Sequence, residues 1–162
     1  MKIPVLVFAC MICLSPAFAQ LKTTPVCPPF EVDALAGNVN KLSPKSTLGE
    51  IKKAFPCFTD IIEQATETKC AGIFFKAHGF SFYSDRNYFE VDENFKGKLT
   101  PSLIGADRGS LFKVLGYPKL KDVSWDAFAT EYGTLVLYYN KAGKINKLQI
   151  SNKGTETLKL CE

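Results

Sequence analysis

Four cysteines, Cys27, Cys57, Cys70 and Cys161, constrain this chain more than any other feature, because they decide which segments can be tied together covalently. The full sequence holds six, but Cys10 and Cys13 fall in a leader. That leader opens with Met1-Lys2, continues as an apolar run from Ile3 to Leu14 interrupted by Pro4, and ends at Ser15-Pro16-Ala17-Phe18-Ala19. A charged start, a short apolar core and small residues at Ala17 and Ala19 are the parts of a cleavable secretory signal, with the cut after Ala19. The core is shorter than the roughly 20 apolar residues that span a bilayer. Lipid attachment at Cys10 is disfavoured by the bulk of Phe8 two residues before it. The expectation is a periplasmic or secreted protein with no integral membrane segment.

Export leaves an even set of cysteines in an oxidising compartment, which reads as two disulfides. Of the three pairings available, Cys57–Cys70 with Cys27–Cys161 is favoured here, a short local loop plus a tie between the chain ends. Closing the long loop contributes about 4–5 kcal/mol in the chain-entropy account. Metal binding is disfavoured, since there is no C-x-x-C pair and His78 is the sole histidine. No cofactor motif occurs either. The formal charge of +4, one less without Lys2, and scattered lysines exclude an electrostatic case for nucleic acid.

Along the chain, residues 20–45 read as an irregular arm, with Pro25, Pro28, Pro29 and Pro44 and a turn at Ala36-Gly37-Asn38. A helix is predicted over Ser46–Phe55, started by the capping-box spacing of Thr47 and Glu50, with Leu48, Ile51 and Phe55 as its buried stripe and Pro56 as its stop. A second short helix is predicted from Ile61 to about Thr66. Strands follow at Gly72–Lys76, Gly79–Ser84 and Asn87–Asp92, with a turn at Ser84-Asp85-Arg86-Asn87 and a connection over 93–107. The theme then recurs. Asp107 or Ser110 caps a helix to Leu115, Gly116 and Pro118 end it, and a link carries Trp125 and Phe128. Strands are predicted at Gly133–Asn140, Lys144–Ser151 and Thr155–Leu160, with turns at Asn140–Gly143 and Asn152–Gly154. The fold class expected is α+β, short helices packed on antiparallel β-sheet, in two related helix-then-sheet units over 46–100 and 101–162.

The second unit, from Arg108-Gly109-Ser110-Leu111-Phe112-Lys113-Val114-Leu115-Gly116-Tyr117-Pro118 through Trp125, Tyr132-Gly133 and Lys144-Ile145, resembles a small envelope module. The module is that of the SmpA/OmlA-type outer-membrane assembly lipoproteins. In tandem, with a cysteine loop near the helices, it is also similar to the β-lactamase inhibitory protein type. The resemblance implies an envelope location and binding to other proteins. The chain departs from the lipoproteins in lacking a lipid box, and it has no loop motif from which inhibitor contacts can be carried over.

Catalytic groups are sparse. His78 is the only imidazole available to activate a nucleophile, and no G-x-S-x-G occurs. Glu90, Asp92 and Glu93 offer neighbouring carboxylates, but at a strand end such acids commonly keep an edge solvated. The richer supply is aromatic. Tyr83, Tyr88, Trp125, Phe128, Tyr132 and Tyr138, with Asp85 and Arg86 in the turn, are the candidate partner-binding residues, since Tyr and Trp anchor interfaces. Tyr138 and Tyr139 must point to opposite sheet faces. The function expected is a non-enzymatic protein-binding protein: an inhibitor or immunity protein that occludes an envelope-targeting enzyme or toxin, or alternatively an envelope structural or assembly factor.

Overall fold

The computed structural model describes residues 27–58, 61–63 and 70–161, so the leader and its cleavage site lie outside the described residues. The elements in chain order are β1 (Glu31–Asp33), β2 (Asn38–Val39), α1 (Leu48–Ala54), β3 (Ile61–Glu63), β4 (Gly72–Phe75), a 3-10 turn (Lys76–His78), β5 (Phe80–Tyr83), β6 (Tyr88–Asp92), β7 (Lys98–Thr100), α2 (Phe112–Leu115), β8 (Leu120–Lys121), β9 (Trp125–Thr130), β10 (Gly133–Tyr139) and β11 (Ile145–Ser151). This is a mostly β protein, which overturns the α+β expectation. Its longest helix has seven residues and its second four.

The missing helix and the extra strands have physical reasons. Ile61–Glu63 pairs with β4 as a strand rather than starting a helix, and the adjacent β-branched Ile61 and Ile62 suit that backbone. The remainder of that predicted helix lies outside the described residues. The supposed link through Trp125 and Phe128 is a six-residue strand. The arm expected to be irregular supplies β1 and β2, and the connection over 93–107 supplies β7. Thr155–Leu160, expected as a strand, is turn and irregular chain, so 152–154 is no hairpin.

Eight strands form one antiparallel sheet in the order β3-β4-β5-β6-β11-β10-β9-β8. Two four-stranded meanders thus meet through their last strands, β6 and β11, with Phe89 opposite Ile150 and Val91 opposite Leu148. The tight β9–β10 turn needs Gly133, whose φ is +141°, because a Cβ there would collide with the backbone of Ser151 and Asn152. A second sheet, β2-β1-β7, has β1 antiparallel to β2 and parallel to β7.

The core lies on one face of the large sheet. Cross-strand register aligns Ile73, Phe82, Phe89, Ile150, Leu135 and Phe128 in one row, and all six are buried. The small sheet contributes Val32 and Val39 to the same core, and α1 contributes Ile51 and Phe55. Phe30 is the hub, with ring centroids of Phe55, Phe58, Phe80 and Phe75 at 4.4, 4.6, 4.9 and 5.1 Å. Burial of each such ring contributes about 1.5–3 kcal/mol.

Helix α1 begins as the sequence predicts. The Thr47 side chain accepts the Glu50 N–H, and the Glu50 carboxylate accepts the Thr47 N–H at 2.8 Å. Helix α2 does not: its first cap is Leu111, while Asp107 is ion-paired to Lys144 at 2.7 Å across an isolated β-bridge.

The disulfides are Cys27–Cys57 and Cys70–Cys161, which corrects the expected Cys57–Cys70 and Cys27–Cys161. Phe30 draws the N-terminal segment onto Phe55 and Phe58, and this places Cys27 beside Cys57 just after α1. The C-terminal end instead crosses the far face of the sheet to reach Cys70. Both disulfides fit an extracellular or periplasmic protein, and among the described residues no helix is long and apolar enough to cross a membrane.

Candidate functional site

The face of the large sheet opposite the core carries Tyr83 opposite Tyr88, and Tyr138 opposite Trp125. Four of the predicted partner-binding residues therefore share one face. They are not free on it, because residues 152–161 cross it as a strap. Its near end is held by the Thr134 hydroxyl, which donates to the Lys153 carbonyl at 2.6 Å, and by the Lys153 N–H, which donates to the Ser151 hydroxyl at 3.1 Å. The far end is held by the Cys70–Cys161 bond and by the Cys161 N–H, which donates to the Tyr88 hydroxyl at 3.1 Å.

Under this strap Tyr88 is 0% exposed, with its ring stacked on Tyr83 at 4.4 Å and 13°. Tyr88 is thus held away from any partner. Phe128, 1% exposed, lies on the core face. Tyr132 is also structural: its hydroxyl donates to the Ala34 carbonyl at 2.8 Å, and its ring fills the space a side chain at Gly37 would need. Asp85 and Arg86 sit in the β5–β6 turn, their charged groups 3.5 Å apart. Asp85 also lies beside Cys70 and Cys161, but both sulfurs are in the disulfide. A cysteine binds metal as its thiolate, which neither Cys70 nor Cys161 offers while they are bonded to each other.

Between strap and sheet runs a groove of about 470 Å³, lined by Leu120, Trp125, Val136 and Tyr138 from the sheet and by Leu158 and Leu160 from the strap. Beside it a polar chain crosses the strands. Tyr138 donates to Gln149 Oε1 at 2.8 Å, Gln149 Nε2 donates to Glu90 Oε2 at 2.6 Å, and the Lys147 ammonium stands 3.6 Å from the same oxygen. Burial pushes the Tyr138 phenol up to about 12, with Glu90 adding to the effect. Burial likewise raises Tyr88, Tyr132 and Tyr139. These phenols stay protonated at neutral pH; Tyr132, Tyr138 and Tyr139 donate hydrogen bonds, and Tyr88 accepts one from the Cys161 N–H.

The exposed apolar surface lies elsewhere, over residues 114–123 at the β8 edge. Among the described residues the large hydrophobics that stand exposed are Leu35, Ile62, Val114, Tyr117, Leu120 and Val123, and the last four fall in this one stretch. Tyr117 is 85% and Val123 92% exposed. Lys113, Lys119 and Lys121, also exposed, interleave with them.

This tip is rigidly mounted. The Arg108 guanidinium donates to the carbonyls of Asp122 at 2.6 Å and Val123 at 2.9 Å. Arg108 is itself gripped by Asp126, a fully buried carboxylate that accepts from Nε at 3.0 Å and Nη2 at 2.5 Å. Tyr139 donates to the same carboxylate at 2.9 Å and places its ring under the guanidinium. The hydrogen bond to Asp126 raises the pKa of Arg108, so the guanidinium is charged at every ordinary pH. Sequence reasoning took Gly116-Tyr117-Pro118 only as a helix end and passed over Tyr117. Apolar and lysine residues alternating through Tyr117-Pro118-Lys119-Leu120-Lys121-Asp122-Val123, with no partner strand predicted, is the signal that marks it.

The candidate catalytic groups are dispersed into structural work. His78 packs edge-on to Phe58 at 4.6 Å and near Phe30 at 5.6 Å. Asp92 accepts the Asn94 N–H at 2.7 Å, and Glu90 is committed to Gln149 and Lys147. Glu93 is exposed beside Asp92 on an adjoining cavity of about 440 Å³, which shares Tyr138 and Lys147 with the groove. No protein-family model, curated protein or solved structure matches this chain.

Proposed function

We propose that this chain is an exported protein-binding protein, most concretely an inhibitor or immunity protein that blocks the active site of an envelope-targeting enzyme or toxin. The observation that carries the reading is the stretch of residues 114–123, in which Val114, Tyr117, Leu120 and Val123 all stand exposed. Contiguous apolar surface rimmed by polar groups marks protein contact sites. An exposed Tyr is the residue type that supplies binding energy at such a site. Two carbonyls of the tip are fixed by Arg108, so little conformational freedom is lost when a partner docks. The partner surface that fits is an apolar cleft edged with carboxylates, which Lys113, Lys119 and Lys121 would meet. Such clefts occur in glycan-cleaving enzymes, whose chemistry rests on paired carboxylates.

The test is capture from envelope extract followed by an enzyme assay, with wild type compared against Tyr117→Ala and Val123→Asp. The expected result is inhibition of a captured enzyme by wild type and its loss in both variants. If no enzyme is inhibited, or if both variants inhibit as wild type does, the reading fails. Association with outer-membrane assemblies in place of enzyme inhibition would count for an envelope assembly role instead.

A further inference from the structure

We propose that the groove beneath the strap binds a small amphiphilic monocarboxylate, an apolar chain or ring system ending in one carboxylate. Its volume of about 470 Å³ falls inside the roughly 300–1,000 Å³ of small-molecule sites. The lining comes from four adjacent strands, with Leu120 from β8, Trp125 and Ala127 from β9, Val136 and Tyr138 from β10, and Lys147 from β11. Leu158 and Leu160 close the outer side. Interiors that serve packing alone are filled to near crystal density. Here the strap is bonded at both ends and closes over the buried Val136 and Ala127, and the room lies toward the mouth, between the partly exposed Trp125 and Tyr138, the exposed Leu120, and Leu158 and Leu160 of the strap.

The charge argument fixes the head group. The Lys147 ammonium lines the groove at 4.2 Å from the Tyr138 ring centre, and its side chain is one-third exposed. Of its carboxylate neighbours, Glu90 Oε2 is 3.6 Å away and already receives Gln149 Nε2 at 2.6 Å, while Asp92, opposite Lys147 in the β6–β11 register, accepts the Asn94 N–H and with Glu93 lines the adjoining cavity. A charge-assisted hydrogen bond is about 2.7–2.9 Å long, so the ammonium has donors in reserve for an incoming carboxylate. The site does not overlap the proposed protein contact except at Leu120.

Decanoate titrated into the oxidised full chain tests this, read by the fluorescence of Trp125, the only tryptophan in the sequence. A saturable change with decanoate is expected, together with weaker binding of decanol, which lacks the charge. Lys147→Met should lower decanoate affinity about 10- to 100-fold, the loss of one charge-assisted hydrogen bond, and leave decanol unchanged. Leu158→Asp, placed on the strap outside the sheet, should abolish both. The proposal is overturned by a non-saturating response, by decanol binding as tightly as decanoate, or by affinity that neither variant alters.

Discussion

The two faces of the eight-stranded sheet are built from the same strands and covered in opposite ways. On one, Phe, Leu and Ile rows lie beneath a second sheet and a helix, and cohesion comes from apolar contact. On the other, Thr134, Gln149 and Ser151 are just as buried, yet their cover is ten residues of irregular chain held by hydrogen bonds and one disulfide. Alternation along a strand tells which residues share a face. It does not tell whether that face is solvated, because a strap from a distant part of the chain can cover it. The cover of the core face is held by packing as well as by Cys27–Cys57, whereas the strap has few apolar contacts beside its one bond that chemistry can open.

Opening that bond gives the largest expected effect. Paired Cys70→Ser and Cys161→Ser substitution removes a link between residues 91 apart, worth about 4–5 kcal/mol in the chain-entropy account. Chemical denaturation should show the loss. Hydrogen exchange under native conditions should show new opening at the amides of residues 153 and 161, which donate to the Ser151 and Tyr88 hydroxyls, with β5 and β6 amides protected up to the global unfolding limit. Exchange rising equally on every strand would erase the distinction between the faces.

Next in size is Phe30→Ala on the core face. It removes the ring around which Phe55, Phe58, Phe75 and Phe80 gather and should cost about 3–5 kcal/mol. The strap should stay bonded, so Trp125 fluorescence in the folded state is expected to be unchanged. Somewhat smaller is Asp126→Ala, about 3 kcal/mol, which leaves Arg108 without its buried partner and Tyr139 without its acceptor. Arg108→Met in the same chain should recover part of that loss, since no unpaired charge then remains.

Alkaline pH loads both faces at once, since Tyr88 and Tyr138 lie on the strap face while Tyr132 and Tyr139 pack with the core. A phenol that titrates near 10 in the unfolded chain is raised by burial in Tyr138 to about 12, and upward in Tyr88, Tyr132 and Tyr139. The folded protein then holds these protons more tightly than the unfolded one. Its stability is complete below pH 10 and falls as pH rises from there through about 12. Circular dichroism with phenolate absorbance should show unfolding and ionisation together in that window. Tyr138→Phe should reduce the steepness of the loss, at the expense of the hydrogen bond to Gln149.

The sequence was most readable where a local rule decides the outcome. The Thr47–Glu50 box and Pro56 bracket α1, and alternation places β4, β5, β6, β10 and β11. It was least readable where distant residues decide. Strand β9 reads as a link because Asp126 interrupts its apolar pattern on the core side, and the charge is tolerated only because Arg108 reaches it from before α2. The disulfide pairing hinged on Phe30 folding back onto α1, which no spacing reveals. Of the candidate contact residues, the shared face of Tyr83, Tyr88, Tyr138 and Trp125 follows from register, but the strap over it does not. The exposed Tyr117 was masked by its place in a helix-ending motif.

Tyr117→Ala should have the smallest effect on stability and the greatest on binding. The side chain is almost wholly in water and touches Phe112 at its edge, 5.6 Å between ring centres. A surface truncation of this kind shifts stability within about 0.5 kcal/mol, whereas loss of an aromatic anchor costs an interface about 2 kcal/mol or more. The core-face variant Phe30→Ala and the paired cysteine variant of the strap should behave in the reverse way, weakening the fold and sparing inhibition while the tip stays clamped by Arg108. Comparing inhibition strength with denaturation midpoint across Tyr117→Ala, Phe30→Ala and the paired cysteine variant separates the two surfaces. If inhibition instead tracks the cysteine variant and ignores Tyr117, the face under the strap is the contact, and the strap must open for the protein to bind.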